Sequence, residues 1–200
     1  MAKPKSATGS LHGSAPDVGD VALLLIDVIN DLEFEGGDKL LQLAKPMAER
    51  LAALRDQFRN AELPIIYAND NFGRWKSDFR VQVDHCLHGG VRGKPIVEML
   101  QPLDEDYFVL KPKHSAFYAT TLDVLLKHLE VKRLVITGMA TDICVLFTAN
   151  DAYMRDFQVT IPADCVAANS QPQSDAALRL MQRVLKADIR ESTALLNKIG

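Results

Sequence analysis

LVITGMATDIC, residues 134–144, running on through VLFTANDAYMRDF to residue 157, is the stretch from which the fold can be read. Leu134, Val135 and Ile136 form a short apolar run with the composition of a buried strand. Gly138 is expected to end that strand, and Thr141 is a good N-cap for a helix to follow. Cys144, Val145, Thr148, Ala149, Ala152 and Tyr153 then recur at spacings of three and four, which is one face of a helix. Cys144 falls in the first turn of that helix, where unpaired N–H groups and the helix dipole favour negative charge. A thiol placed there is expected to lose its proton below the usual pKa, and the thiolate is the nucleophile. A free cysteine is also a common small core residue, and this segment alone leaves both readings open.

Working outward, the same strand-then-helix pattern repeats. VALLLI, residues 21–26, is apolar on both faces, as a central parallel strand covered by helices must be, and it ends at Asp27. A carboxylate there is either a turn residue or a group at the strand edge where open α/β sheets bind ligands. Gly36 and Gly37 predict a turn. Leu40, Leu43, Met47, Leu51, Leu54 and Phe58 predict a long amphipathic helix, with a kink or restart at Pro46. PIIYA, residues 64–68, predicts a second buried strand, followed by a polar loop that carries Phe72, Arg74 and Trp75. Residues 76–100 read as mixed helix and loop; His85, Cys86 and His88 lie there, too closely spaced for a familiar zinc motif.

Residues 107–110 predict a third strand, ending at Lys111, and Pro112 stiffens the chain where Lys111 leaves it. Thr120 or Thr121 is expected to cap a helix that turns Leu122, Leu125, Leu126 and Leu129 to the sheet. After the strand at 132–137, further strands are expected at 159–161 and 188–191. A helix is expected at 174–186 with Leu178, Met181, Val184 and Leu185 inward, and a terminal one at 193–199. Strands alternating with helices predict a single α/β domain over residues 20–200, built on a doubly wound, mainly parallel sheet of about six strands with helices on both faces. Residues 1–19, rich in Ser, Gly, Ala, Pro and Lys, read as a flexible arm in which His12 is solvated.

Composition narrows the function classes. Nearly half of the 200 residues are hydrophobic (48%), enough for a large core. The net charge of −3 is spread along the chain with no basic stripe, so no nucleic-acid partner is expected. No apolar run reaches membrane-spanning length and no signal-peptide core is evident, which together predict a cytoplasmic protein without a membrane partner. Cys86, Cys144 and Cys165 are far apart with no CxxC pair, which disfavours structural zinc and a disulfide framework.

Asp27, Lys111 and Cys144 each follow the C-terminal end of a different predicted strand, and in a doubly wound sheet those ends share one edge. A thiol, a cation and a carboxylate are a working set for nucleophilic catalysis. Lys111 would favour the thiolate, and Asp27 could accept the thiol proton and return it to a leaving group.

VALLLIDVINDL, FVLKPKHSAFYATTLDVLL and TGMATDICVLFTANDAYMRDFQVTIPADC resemble the three signature blocks of the isochorismatase-like cysteine hydrolases, which include nicotinamidases and N-carbamoylsarcosine amidases. The resemblance covers about residues 20–190. It implies a Rossmann-like three-layer fold and an Asp-Lys-Cys triad at Asp27, Lys111 and Cys144. It also implies a cis peptide between Met139 and Ala140, with the Ala140 and Cys144 N–H groups as an oxyanion hole, and a homo-oligomer as the assembly.

Two departures bear on the substrate. Ile29 stands where the family commonly has Gln, and Asp70-Asn71-Phe72 stands where nicotinamidases carry a metal-binding Asp-x-His. The missing histidine disfavours a metal-assisted nicotinamidase, and Cys144 is a nucleophile that isochorismatases proper do not need, so the resemblance implies cleavage of a C–N bond in a small amide or ureido substrate, with neither metal nor other cofactor. Phe72, Trp75 and Phe117 are the expected pocket wall. The alternatives are an isochorismatase-type vinyl ether hydrolase, an inactive binding or scaffold protein of the same fold, and a thiol redox protein.

Overall fold

Val21–Ile26 forms strand β1, and all six of its residues are buried. The fold is taken from a computed structural model, in which residues 19–73 and 78–196 are described. With apolar side chains on both faces, β1 can only sit mid-sheet. Its neighbours are β2 (Ile65–Asp70) and β4 (Arg133–Met139), both parallel to it. β3 (Tyr107–Lys111) pairs outside β2, and β5 (Gln158–Thr160) outside β4. The order is β3-β2-β1-β4-β5. β6 (Val166–Ala167) pairs with Gly138 and Met139, farther along the β4 edge that β5 occupies.

Alternate residues of the strands feed two cores. Val21, Leu23, Leu25, Ile65 and Tyr67 pack against α1 (Gly37–Asn60), α2 (Phe79–His88) and α3 (Lys94–Met99). Ala22, Leu24, Ile26, Ile66 and Ala68 pack on the other face against α4 (Leu122–His128), α5 (Leu146–Tyr153) and α6 (Gln171–Leu185). The result is three layers, helices on sheet on helices. A last helix, α7 (Thr193–Leu196), sets Leu195 into the first core.

The structure departs from the sequence expectations at several points. Pro46 lies inside α1, which runs on as one helix of 24 residues without a restart. The 188–191 strand reduces to one bridge, Thr160 to Asp188, and the sixth strand is β6 instead. Val184 is 47% exposed because α6 buries Ser174, Ala177, Leu178, Met181 and Leu185, a stripe that rotates Val184 outward. Tyr153 is likewise exposed, one position past the buried Ala152. Gly138 does not end β4 but lies within it at φ +104, paired with Ile26. A Cβ there would stand 2.1 Å from the Ile26 carbonyl oxygen, so only glycine permits the two strands to approach at this point. Trp75, the arm up to residue 18 and the end of the 193–199 helix lie outside the described residues.

From β1 the chain moves outward to β2 and β3, then returns across β1 to build β4 and β5. The direction of winding therefore reverses between β1 and β4, and beyond the carboxyl ends of these strands a crevice opens.

Candidate active site

Asp27 is the first residue beyond β1 and takes a left-handed conformation, φ 52, which turns its side chain off the strand line. Its carboxylate is nearly buried, at 6% exposure. Oδ1 accepts the Asp70 N–H at 2.7 Å, and Oδ2 lies 2.8 Å from Lys111 Nζ. Lys111, the last residue of β3, has no exposed surface. Its ammonium also donates to the Lys113 carbonyl at 3.3 Å and to Cys144 Sγ at 3.6 Å, and lies 3.7 Å from Asp70 Oδ2. A buried ammonium is tolerable only with such a set of acceptors.

Cys144 arrives from β4 through a cis peptide between Met139 and Ala140, then a π-helical turn, Thr141–Val145, that runs into α5. Such turns recur at functional sites. Ala140, not Thr141, occupies the N-cap position, because the Thr141 hydroxyl is engaged with Ser174 of α6 at 2.9 Å. The sheet edge thus brings Asp27, Lys111 and Cys144, which span more than a hundred residues of chain, together around one ammonium.

Electrostatics modify the sequence expectation for the thiol. Burial, and then the Asp27 carboxylate, push Cys144 up to about 12, against the lowering effect of Lys111. The expected thiolate at the helix start is therefore not the resting form. Burial also raises Asp27 against the opposing pull of Lys111. For Lys111, burial lowers the ammonium's pKa, but Asp27, Cys144 and Asp70 outweigh it and carry the group above its ordinary value. The Lys111 ammonium thus stands between a buried carboxylate of raised basicity and a buried thiol pushed up to about 12.

A cavity of about 250 Å³ opens on these groups, with Asp27, Ala140 and Cys144 in its wall. Phe34, Leu40, Phe72 and Ile143 give it an apolar side, and Asn30 and Asn169 a polar one. Phe72 lies in this wall, whereas Phe117 does not. Phe117 is buried at 5% in the second core, beside Phe157 and under the Arg155 guanidinium at 4.7 Å.

His114 is the residue that sequence reasoning passed over. It stands in the wall with Nδ1 3.9 Å from Cys144 Sγ and its ring against Phe147. The next residues fix its loop to α5, since Ser115 donates to Asp151 and the Ala116 N–H donates to Thr148 Oγ1 at 3.0 Å. Its place three residues after Lys111, in the loop that follows the strand delivering the cation, was the available signal.

The donor set does not suit a metal of the nicotinamidase kind. Asp70 is present, but its Oδ1 accepts the Phe72 N–H at 2.6 Å, and Phe72 offers no ligand atom. Among the described residues no three His, Cys, Asp or Glu side chains converge as metal ligands. Among them, too, no helix is long and apolar enough to cross a membrane.

Residues 21–190 match the model of the isochorismatase domain. The isochorismatase family protein YaaI of Bacillus subtilis is 44% identical over 179 residues, 90% of this chain and 98% of that protein. The ureidoacrylate amidohydrolase RutB of Methylorubrum extorquens is 36% identical over 194 residues, covering 82% of this chain and 76% of its own. Among solved structures, N-carbamoylsarcosine amidase from Thermoplasma acidophilum superposes with a TM-score of 0.62 at 27% identity, covering 87% of this chain and 97% of that one.

Proposed function

The chain belongs to the isochorismatase family of hydrolases, and on that premise we propose that it cleaves the C–N bond of a small amide or ureido compound through a thioester on Cys144, without a metal ion. The observation that carries this reading is the single ammonium of Lys111, 2.8 Å from the Asp27 carboxylate and 3.6 Å from Cys144 Sγ at the wall of a cavity. The relatives named for ureidoacrylate and N-carbamoylsarcosine support a carbonyl flanked by nitrogen as the target.

Asp27 takes the thiol proton as Sγ attacks the carbonyl carbon, and its raised basicity suits it to that transfer. Lys111 stays protonated and offsets the charge passing between sulfur and carboxylate. The carbonyl oxygen becomes an oxyanion, held by the N–H groups of Ala140, at the N-cap of the π-helical turn, and Cys144, within it. The C–N bond then breaks, Asp27 returns the proton to the departing nitrogen, and the acyl group remains on sulfur. Water attacks the thioester, Asp27 takes its proton, and the thiolate leaves to be reprotonated.

A panel of small amides and ureides, with isochorismate as the vinyl ether, tests this reading by release of ammonia or pyruvate. Ammonia from at least one C–N substrate, lost in Cys144→Ala, is the expected result. Turnover of the vinyl ether alone, surviving in Cys144→Ala, would move the protein to the other chemistry of the family.

A further inference from the structure

Two phenylalanines stand half exposed at the mouth of the catalytic cavity, Phe34 at 45% and Phe72 at 49%. Each walls the catalytic cavity on one side and, on the other, a second cavity of about 320 Å³. Buried Ile29 and Cys86 and half-exposed Phe34 and Phe72 give the second cavity its apolar side with Val81 of α2, and the Asp31–His85 pair, 3.3 Å apart, stands with Glu33 and Gln82 on its polar side. The catalytic cavity alone falls below the roughly 300–1,000 Å³ usual for small-molecule sites, while the two together fall within it.

The dividing aromatics sit on pinned backbone. Phe72 is fixed by its N–H bond to Asp70 at 2.6 Å. The segment entering Phe34 is tied by Arg92, whose guanidinium donates to the Leu32 carbonyl at 2.8 Å and whose N–H donates to Glu33 at 2.8 Å. With the backbone fixed on both sides, less freedom is lost when a ligand fills the gap between the rings.

We infer that the two cavities form one bipartite site, in which Phe34 and Phe72 grip an elongated apolar amide or ureide whose carbonyl sits at Cys144 and whose distal end occupies the second cavity. The inference rests on reading the catalytic cavity as an amidase site. The occupant is a continuation of the substrate and not a separate ligand, because the two spaces share both aromatic walls. The substrate class is then arylalkyl or alkyl amides of several carbons, in preference to compounds the size of acetamide or urea.

Protection of Cys144 from iodoacetamide, followed by mass spectrometry on the full chain, tests this. The probes are benzamide, 3-phenylpropanamide and 5-phenylpentanamide, with ammonia release measured in parallel. Val81→Trp, at a position 65% exposed, fills the second cavity, and Val124→Trp, 70% exposed on α4, is the control. From the shortest to the longest amide, protection should tighten at least tenfold in the wild type and in Val124→Trp. In Val81→Trp that gain should shrink to less than twofold. Equal protection by all three amides, protection by none, or a gain that survives Val81→Trp overturns the inference. Ammonia reports the chemistry separately: graded protection without ammonia supports the bipartite site and leaves the C–N chemistry to the wider panel of amides and ureides, and ammonia without graded protection overturns the bipartite site and keeps the amidase reading.

Discussion

Replacing Asp27 by Asn should make Cys144 react faster with iodoacetamide while turnover collapses. In the resting site the carboxylate and the sulfur share the Lys111 ammonium, at 2.8 and 3.6 Å, and burial followed by the Asp27 charge holds the thiol at about 12. Charges about 4 Å apart interact by about 4 kcal/mol at an effective dielectric near 20, which corresponds to roughly 3 pKa units. Removing the carboxylate while Lys111 remains should shift the pH profile of labelling downward by about that amount. At neutral pH the thiolate fraction then rises about 1,000-fold. A thiolate of lower pKa is intrinsically less nucleophilic, by about 30-fold for that change, so labelling should accelerate by about 30-fold net. Hydrolysis should fall by roughly 10²–10⁴-fold, the usual loss when a general acid–base is removed. The assay is the iodoacetamide rate at Cys144 between pH 6 and 9, followed by peptide mass. Specificity for this thiol comes from access, since Cys86 and Cys165 are 2% and 0% exposed. An unchanged or slower rate in Asp27→Asn would show that the sulfur is already anionic at rest, with the proton on Asp27.

Three further outcomes are expected. Gly138→Ala, whose Cβ would lie 2.1 Å from the Ile26 carbonyl oxygen at φ +104, should cost about 3 kcal/mol or more and lower the melting temperature by roughly 6–12 °C; differential scanning calorimetry checks it. Prolonged chelation should leave turnover intact, because Phe72 stands where a metal-binding histidine would be needed; activity lost to chelation and restored by zinc or manganese would refute this. We also propose a homo-oligomer, so light scattering at micromolar concentration should give a mass that is a multiple of the 22.1 kDa chain, whereas a 22 kDa species would contradict it.

The parts of the fold that were legible in the sequence are those fixed by uninterrupted apolar runs. VALLLI and the run Leu134, Val135 and Ile136 can be buried on both faces only in a central parallel strand, and from that follows a common edge for the residues that end the strands. What stayed hidden depended on contacts across the fold. Two residues, Val166 and Ala167, carry no periodicity and become a strand only because the edge of β4 is free beside them. Gly138 looks like a strand terminator until Ile26 is seen against it, and Phe117 looks like a pocket aromatic until Arg155 covers it. The thiol's direction of shift could not be read from helix position and a nearby lysine, because burial and Asp27, both set by tertiary packing, outweigh them. His114 offered a chemically competent side chain, but only the Ser115 and Ala116 anchors on α5 bring it beside the sulfur.

The central claim is that Cys144 becomes covalently acylated during C–N cleavage. Acid quenching of the enzyme within milliseconds of mixing with a turned-over amide, followed by intact and peptide mass measurement, tests it most directly. The expected result is a mass increase equal to the acyl group, located on the peptide carrying Cys144, absent in Cys144→Ala and discharged by water or hydroxylamine. Sustained ammonia release by Cys144→Ala, or rapid turnover by the wild type with no acyl mass at that peptide under any quench time, would contradict it.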